Sequence, residues 1–142
     1  MSNRLIDQLG GPGLIATAAI PAHAASDASL DHVVLHAAER SLRVRKVTAI
    51  PDATLTGADS DSASLNVRTV TAAGSPTEVA HKDYTNAVNQ TALIPVELYA
   101  PAAPYTTIAV GGSLSIQREK VGSSGLATPR FLVAIEYDYA AA

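Results

Sequence analysis

The stretch GGSLSIQRE, Gly111 to Glu119, decides how the rest of this chain is read. After a Gly-Gly turn, Leu114 and Ile116 alternate with Ser113, Ser115 and Gln117. Strict alternation puts apolar side chains on one face of a pleated strand and polar ones on the other. A helix would need its apolar residues three and four apart. Gly122-Ser-Ser-Gly125 then closes the segment as a loop.

Working outward, the same reading recurs. Phe131 to Tyr139 places Phe131, Val133, Ile135, Tyr137 and Tyr139 on one face. Its other face turns polar only at Glu136 and Asp138, so this strand is expected to begin buried on both faces and to end half exposed. Leu42 to Ile50 alternates until Lys46-Val47, where the slip predicts a bulge. Leu65, Val67 and Thr69 alternate with Asn66 and Arg68, and Glu78 to Tyr84 follows. Leu93 to Tyr99 carries Pro95, which confines it to a sheet edge or a bulge. Thr106 to Val110 is a short strand before the glycines. Ser29 to Ser41 has Leu30, Val33, Val34 and Ala37 at helical spacing, but the paired valines and the strands around it favour a strand at His32 to His36. About eight short strands separated by turns predict an all-β chain: an antiparallel β-sandwich, jelly-roll-like, with an extended N-terminal arm. Residues 1–28 are read as the arm and residues 29–142 as one β-sandwich domain.

Composition agrees. Hydrophobic residues make up 47% of the 142 and charged residues 16%, enough for a core in one domain. With no Trp, one Phe and one Met, that core is built from Val, Ile, Leu and Ala. There is no cysteine, hence no disulfide, thiolate nucleophile or Cys-based zinc site. A net charge of −3 supplies no positive field for nucleic acid. No apolar run approaches the roughly 20 residues of a membrane-spanning helix.

The arm holds LIATAAIPAHAAS, Leu14 to Ser26, whose Ala22-His23-Ala24 has the small-x-small look of a signal-peptidase site. Arg4 is offset by Asp7, and Gly10-Gly11-Pro12-Gly13 breaks the chain before a short apolar run that includes Thr17. Those departures favour an arm over an export signal: one helical turn over residues 5–9, a Gly/Pro hinge, and Leu14 to Ile20 free to add as a strand to another surface.

Groups that carry chemistry are sparse. His32 and His36 share a strand face about 13 Å apart, too far for one metal ion. Asp52, Asp59 and Asp61 offer oxygen ligands in a loop, but the EF-hand register is absent and Asp and Ser are ordinary turn formers. Glu136 and Asp138 share a face at a chain end and read as solvated. No nucleophile elbow or phosphate-binding glycine loop is present, so no catalytic residue, metal site or cofactor is assigned and the chain is not read as an enzyme. Arg40, Arg43, Arg45 and Lys46 form the basic cluster, either a contact for an acidic partner or the solvated face of a strand. Tyr84, Tyr99, Tyr105, Tyr137 and Tyr139 can serve core or interface. The interface candidates are Leu14, Ile15, Ile20, Arg40, Arg43, Arg45, Tyr99 and Tyr105.

Asp31-His-Val-Val, the run Arg43-Val-Arg-Lys-Val-Thr-Ala-Ile-Pro51-Asp-Ala, Leu55-Thr-Gly-Ala-Asp59 and Leu65-Asn-Val-Arg68 resemble a group of small head proteins of tailed bacteriophages. Gly112-Ser-Leu-Ser-Ile-Gln117 and Leu132-Val-Ala-Ile-Glu136 continue the resemblance, which spans roughly Asp31 to Tyr139 and omits the arm. It implies a capsid decoration or minor capsid protein, made in the host cytoplasm and carried on the virion surface. Its partner would be the major capsid protein, its state a homotrimer, and its role to stabilise the shell against packaged DNA. The alternatives are a head-fibre, neck or tail-associated binding module, with carbohydrate as a ligand at the Asp52–Ser62 and Gly122–Gly125 loops, and an exported β-sandwich protein cleaved after Ala24.

Overall fold

The structure, a computed structural model, describes residues 13–140; the helical turn expected at residues 5–9 lies outside them. Among the described residues nine strands form: β1 (Leu14–Ile20), β2 (Leu30–His36), β3 (Leu42–Pro51), β4 (Ser62–Val70), β5 (Pro76–Asp83), β6 (Val96–Tyr99), β7 (Thr106–Ile108), β8 (Ser113–Val121) and β9 (Phe131–Tyr139). One sheet has the order β1-β9-β3-β6, with β7 also on β3; the other has the order β2-β8-β4-β5. All pairings are antiparallel.

The order resolves into a folded double ribbon. Its successive rungs are β1 with β9, β2 with β8, β3 with β6 and β7, and β4 with β5, and each rung lies in the sheet opposite the one before. That wrapping is the jelly roll, a β-sandwich as the alternation predicts. Leu14–Ile20 is a strand, and it pairs along its whole length with β9 of its own chain, from Leu14 opposite Tyr137 to Ile20 opposite Phe131. It is thereby the first rung of the ribbon.

The core fills the space between the sheets. Val44, Val47 and Ala49 of β3 and Phe131, Val133 and Ile135 of β9 meet Leu65 and Val67 of β4 and Leu114 and Ile116 of β8, all fully buried. Ile20, Tyr84, Leu98 and Ile108 close its margins. The bulge foreseen in β3 lies between Val44 and Lys46, and β6 starts just after Pro95 at a sheet edge. One expectation needs correction: β9 does not begin buried on both faces. Leu132 is 41% exposed, because among the described residues no third layer covers the outside of its sheet.

Candidate interaction surface

Period-two strands give each sheet one inner and one outer face, and the two outer faces of this sandwich differ in kind. Outside β2-β8-β4-β5 lies a polar lattice. Arg68 and Ser115 donate to Asp31 at 2.8 and 3.1 Å, Asn66 to Gln117 and Glu119 at 3.1 and 2.6 Å, and Ser64 to Asp83 at 2.6 Å. On β5, His81 lies 2.9 Å from Glu78 and 3.7 Å from Asp83. The hydrogen bond to Glu78 and the charge of Asp83 raise the His81 imidazole above its ordinary value. Most of this face is satisfied by its own groups; Val33, opposite Ser115, is its exposed apolar residue.

Outside β1-β9-β3 the register aligns Ala19, Leu132 and Ile50 in one row and Thr17, Ala134 and Thr48 in the next. Ile15, Glu136 and Lys46 form a third. Ile15 is 61% exposed. At the apolar end, Leu93 donates its N–H to the Pro51 carbonyl, and Leu93 and Ile94 are both exposed. The apolar half of this face is therefore small-residued and uncharged, and water covers it at a cost.

The other half is ionic and internally neutralised. Arg43 grips Asp138 through Nε and one terminal nitrogen at 2.6 and 2.9 Å. The bulge turns Arg45 onto the same carboxylate at 3.2 Å, with its second terminal nitrogen 3.1 Å from the Tyr105 hydroxyl and its guanidinium 4.7 Å above that ring. Lys46 reaches Glu97 at 3.9 Å. Asp138 is thus buried under two arginines, which corrects the expectation that it is solvated.

These placements sort the interface candidates. Ile15, Arg43, Arg45 and Tyr105 share the outer face of one sheet. Ile20 is a core residue at 1% exposure, and Leu14 is half-buried opposite Tyr137. Tyr99 lies opposite buried Val47, with its hydroxyl on Thr106. Arg40 stands apart, its guanidinium 4.4 Å above the Tyr139 ring, in a cleft of about 210 Å³ lined also by His36, Glu39 and Tyr137.

The two loops considered for a ligand pack on each other instead: Asp61 accepts the Ser124 N–H at 2.8 Å. Among the described residues no three of His, Asp and Glu gather around a common point. His36 meets Ser113 at 3.0 Å, while His32 finds His23, nine residues away, with their Nε2 atoms 2.9 Å apart. Spacing could not reveal that pair, since its members lie on different elements.

No protein-family model and no curated protein matches this sequence. A chain in the structure of infectious bursal disease virus Gx strain superposes on it with a TM-score of 0.30 at 11% identity. The match covers 89% of this chain and 37% of that one, so this chain spans just over a third of its length. A superposition that loose bears on neither function nor assembly.

Proposed function

We propose that this chain is a structural protein of a tailed-bacteriophage virion. It binds the outside of the capsid lattice through the outer face of β1-β9-β3 and stabilises the head as a homotrimer. The observation that carries the reading is the contrast between the two outer faces: one bonded into a polar lattice in which Val33 is the exposed apolar residue, the other offering Ile15, Ala19 and Leu132 to solvent beside half-buried Ile50. The sequence resemblance to phage head proteins supplies the partner.

Size argues for many weak contacts. Three strands six residues long make a face of roughly 300 Å². A stable pairwise interface buries about 800 Å² on each partner. One face is therefore too small by itself, whereas three linked copies on a regular lattice gain by avidity.

Quantitative mass spectrometry of purified particles tests the reading. A copy number comparable with that of the major capsid protein is expected, and absence from particles would refute it. Deleting residues 1–28 is a poor probe, because it removes β1 and bares the flank of β9. Ile15→Arg with Leu132→Arg leaves the sandwich intact and should abolish binding to heads.

A second reading, a carbohydrate-binding module of a head fibre, neck or tail, draws on the cleft between Tyr137, Tyr139, Arg40 and His36. It expects about a dozen copies per particle and a glycan-array signal lost in Tyr137→Ala.

A further inference from the structure

The connection between β1 and β2, residues 21–29, is bound down at many points. His23 exchanges two backbone hydrogen bonds with Thr128, both 3.0 Å, joining the connection to the β8–β9 loop. Arg118 is fully buried, and its terminal nitrogens donate to the carbonyls of Asp27, Ala24 and Leu126 at 2.6, 3.1 and 2.6 Å. The Asp27 carboxylate accepts the Ala24 N–H at 2.8 Å and lies 3.4 Å from His23 Nδ1. The Ser29 hydroxyl accepts the Lys120 N–H at 2.9 Å. The His23–His32 contact is the side-chain tie between this connection and β2.

Proton inventory makes that tie unlike the others. With Asp27 beside Nδ1, His23 carries its proton there and offers the Nε2 lone pair. His32 then donates Nε2–H across the 2.9 Å gap. The pair holds while one proton lies between the two Nε2 atoms. One extra proton is absorbed when the neutral ring changes tautomer and accepts, but with both rings charged two N–H donors stand face to face and the bond becomes a repulsion. The charged groups facing the pair are Asp27, Asp31 and Arg118, with Asp31 already bound to Arg68.

We propose that His23 and His32 form a proton-operated clasp, closed at neutral pH, that releases the β1–β2 connection in mild acid. The clasp is independent of what the outer face of β1-β9-β3 binds. Burial first, then the neighbouring His23, holds the His32 imidazole below its ordinary value of 6.5, against the pull of Asp31. A histidine depressed in this way adds stability above about pH 6.5 and withdraws it as pH falls through its folded value. Release loosens residues 21–29 and the tether of the first ribbon strand, while the core has no titratable group of its own in this range.

Hydrogen exchange on the full chain, at about pH 7.5 and about pH 5.5 with the intrinsic rate corrected, tests the clasp. Amides of residues 21–29 should lose about tenfold in protection on acidification, while those of Leu114 to Gln117 in β8 do not change. In His32→Gln, which cannot take the second proton, the loss should vanish; in His36→Gln it should persist. An unchanged wild type, or the same loss in wild type and His32→Gln, overturns the proposal. Should His32→Gln not fold, ring ¹⁵N titration of the wild type decides. Two coupled steps are expected for the pair, and two independent titrations would count equally against it.

Discussion

Replacing Arg118 with Met sets two large effects against each other. Arg118 is fully buried, and its guanidinium serves three carbonyls, those of Ala24, Asp27 and Leu126. Its Nε has no partner among the described residues, and burial lowers its pKa from the ordinary value. Burying a cation costs several kcal/mol, and Met removes that cost while keeping much of the apolar stem. Against this, hydrogen bonds to a charged donor contribute about 1.5–3 kcal/mol each, and stripping a buried carbonyl of its donor costs about 1–3 kcal/mol. The Ala24 carbonyl keeps the Asp27 N–H at 3.2 Å, so two carbonyls lose their donor, and at the low end that gives about 2 kcal/mol of destabilisation. For a domain of this size that is a drop in Tm of about 6 °C. Calorimetry of Arg118→Met gives the number, and hydrogen exchange locates it, with lost protection expected at residues 24–28 and 125–128. A Met variant as stable as the wild type would show that desolvation of the cation outweighs its bonds and would sink the reasoning.

The remaining predictions follow from single sites. A Cβ on Gly57 would stand 1.9 Å from the Thr85 carbonyl oxygen and 2.5 Å from that of Val88, both backbone, so Gly57→Ala should cost about 3 kcal/mol in denaturant unfolding. Gly74→Ala, with φ of +84° but open space around it, should cost only about 1 kcal/mol. Tyr84 is fully buried with no hydrogen-bond partner for its hydroxyl among the described residues, and burial pushes its phenol up to about 12. Because the folded value is raised, its contribution to stability is present below pH 10.0 and lost towards about pH 12; a phenolate step near pH 12 should disappear in Tyr84→Phe, which should unfold no more easily than the wild type. Ile15→Arg and Leu132→Arg, both on exposed positions, should change stability by about 0.5 kcal/mol or less in thermal unfolding, so any loss of capsid binding reports the face itself.

Much of the fold was legible in the chain itself because pleat, bulge and turn are local. Leu114 and Ile116 alternating with serines, the slip at Lys46-Val47, and Pro95 ahead of β6 each express a constraint a few residues long. The same alternation, carried one step further, puts Arg118 on the core face after Ile116. Its charge concealed that reading, since a buried arginine is rare unless distant carbonyls are waiting for it. The surroundings of the interface candidates were legible only in part. The sequence marks Arg43 and Arg45 as basic, but Asp138, which binds both, lies more than ninety residues away.

Strand identity and the all-β class therefore belong to the sequence alone, since side-chain period and turn chemistry need no knowledge of neighbours. Strand order belongs to the tertiary structure: an apolar run such as Leu14–Ile20 will pair with any open edge, and only closure of the ribbon assigns it to β9. The same holds for the meeting of His23 with His32 and for which outer face is polar and which apolar. Each depends on register between strands far apart in the chain, and register is settled by burial of both inner faces at once.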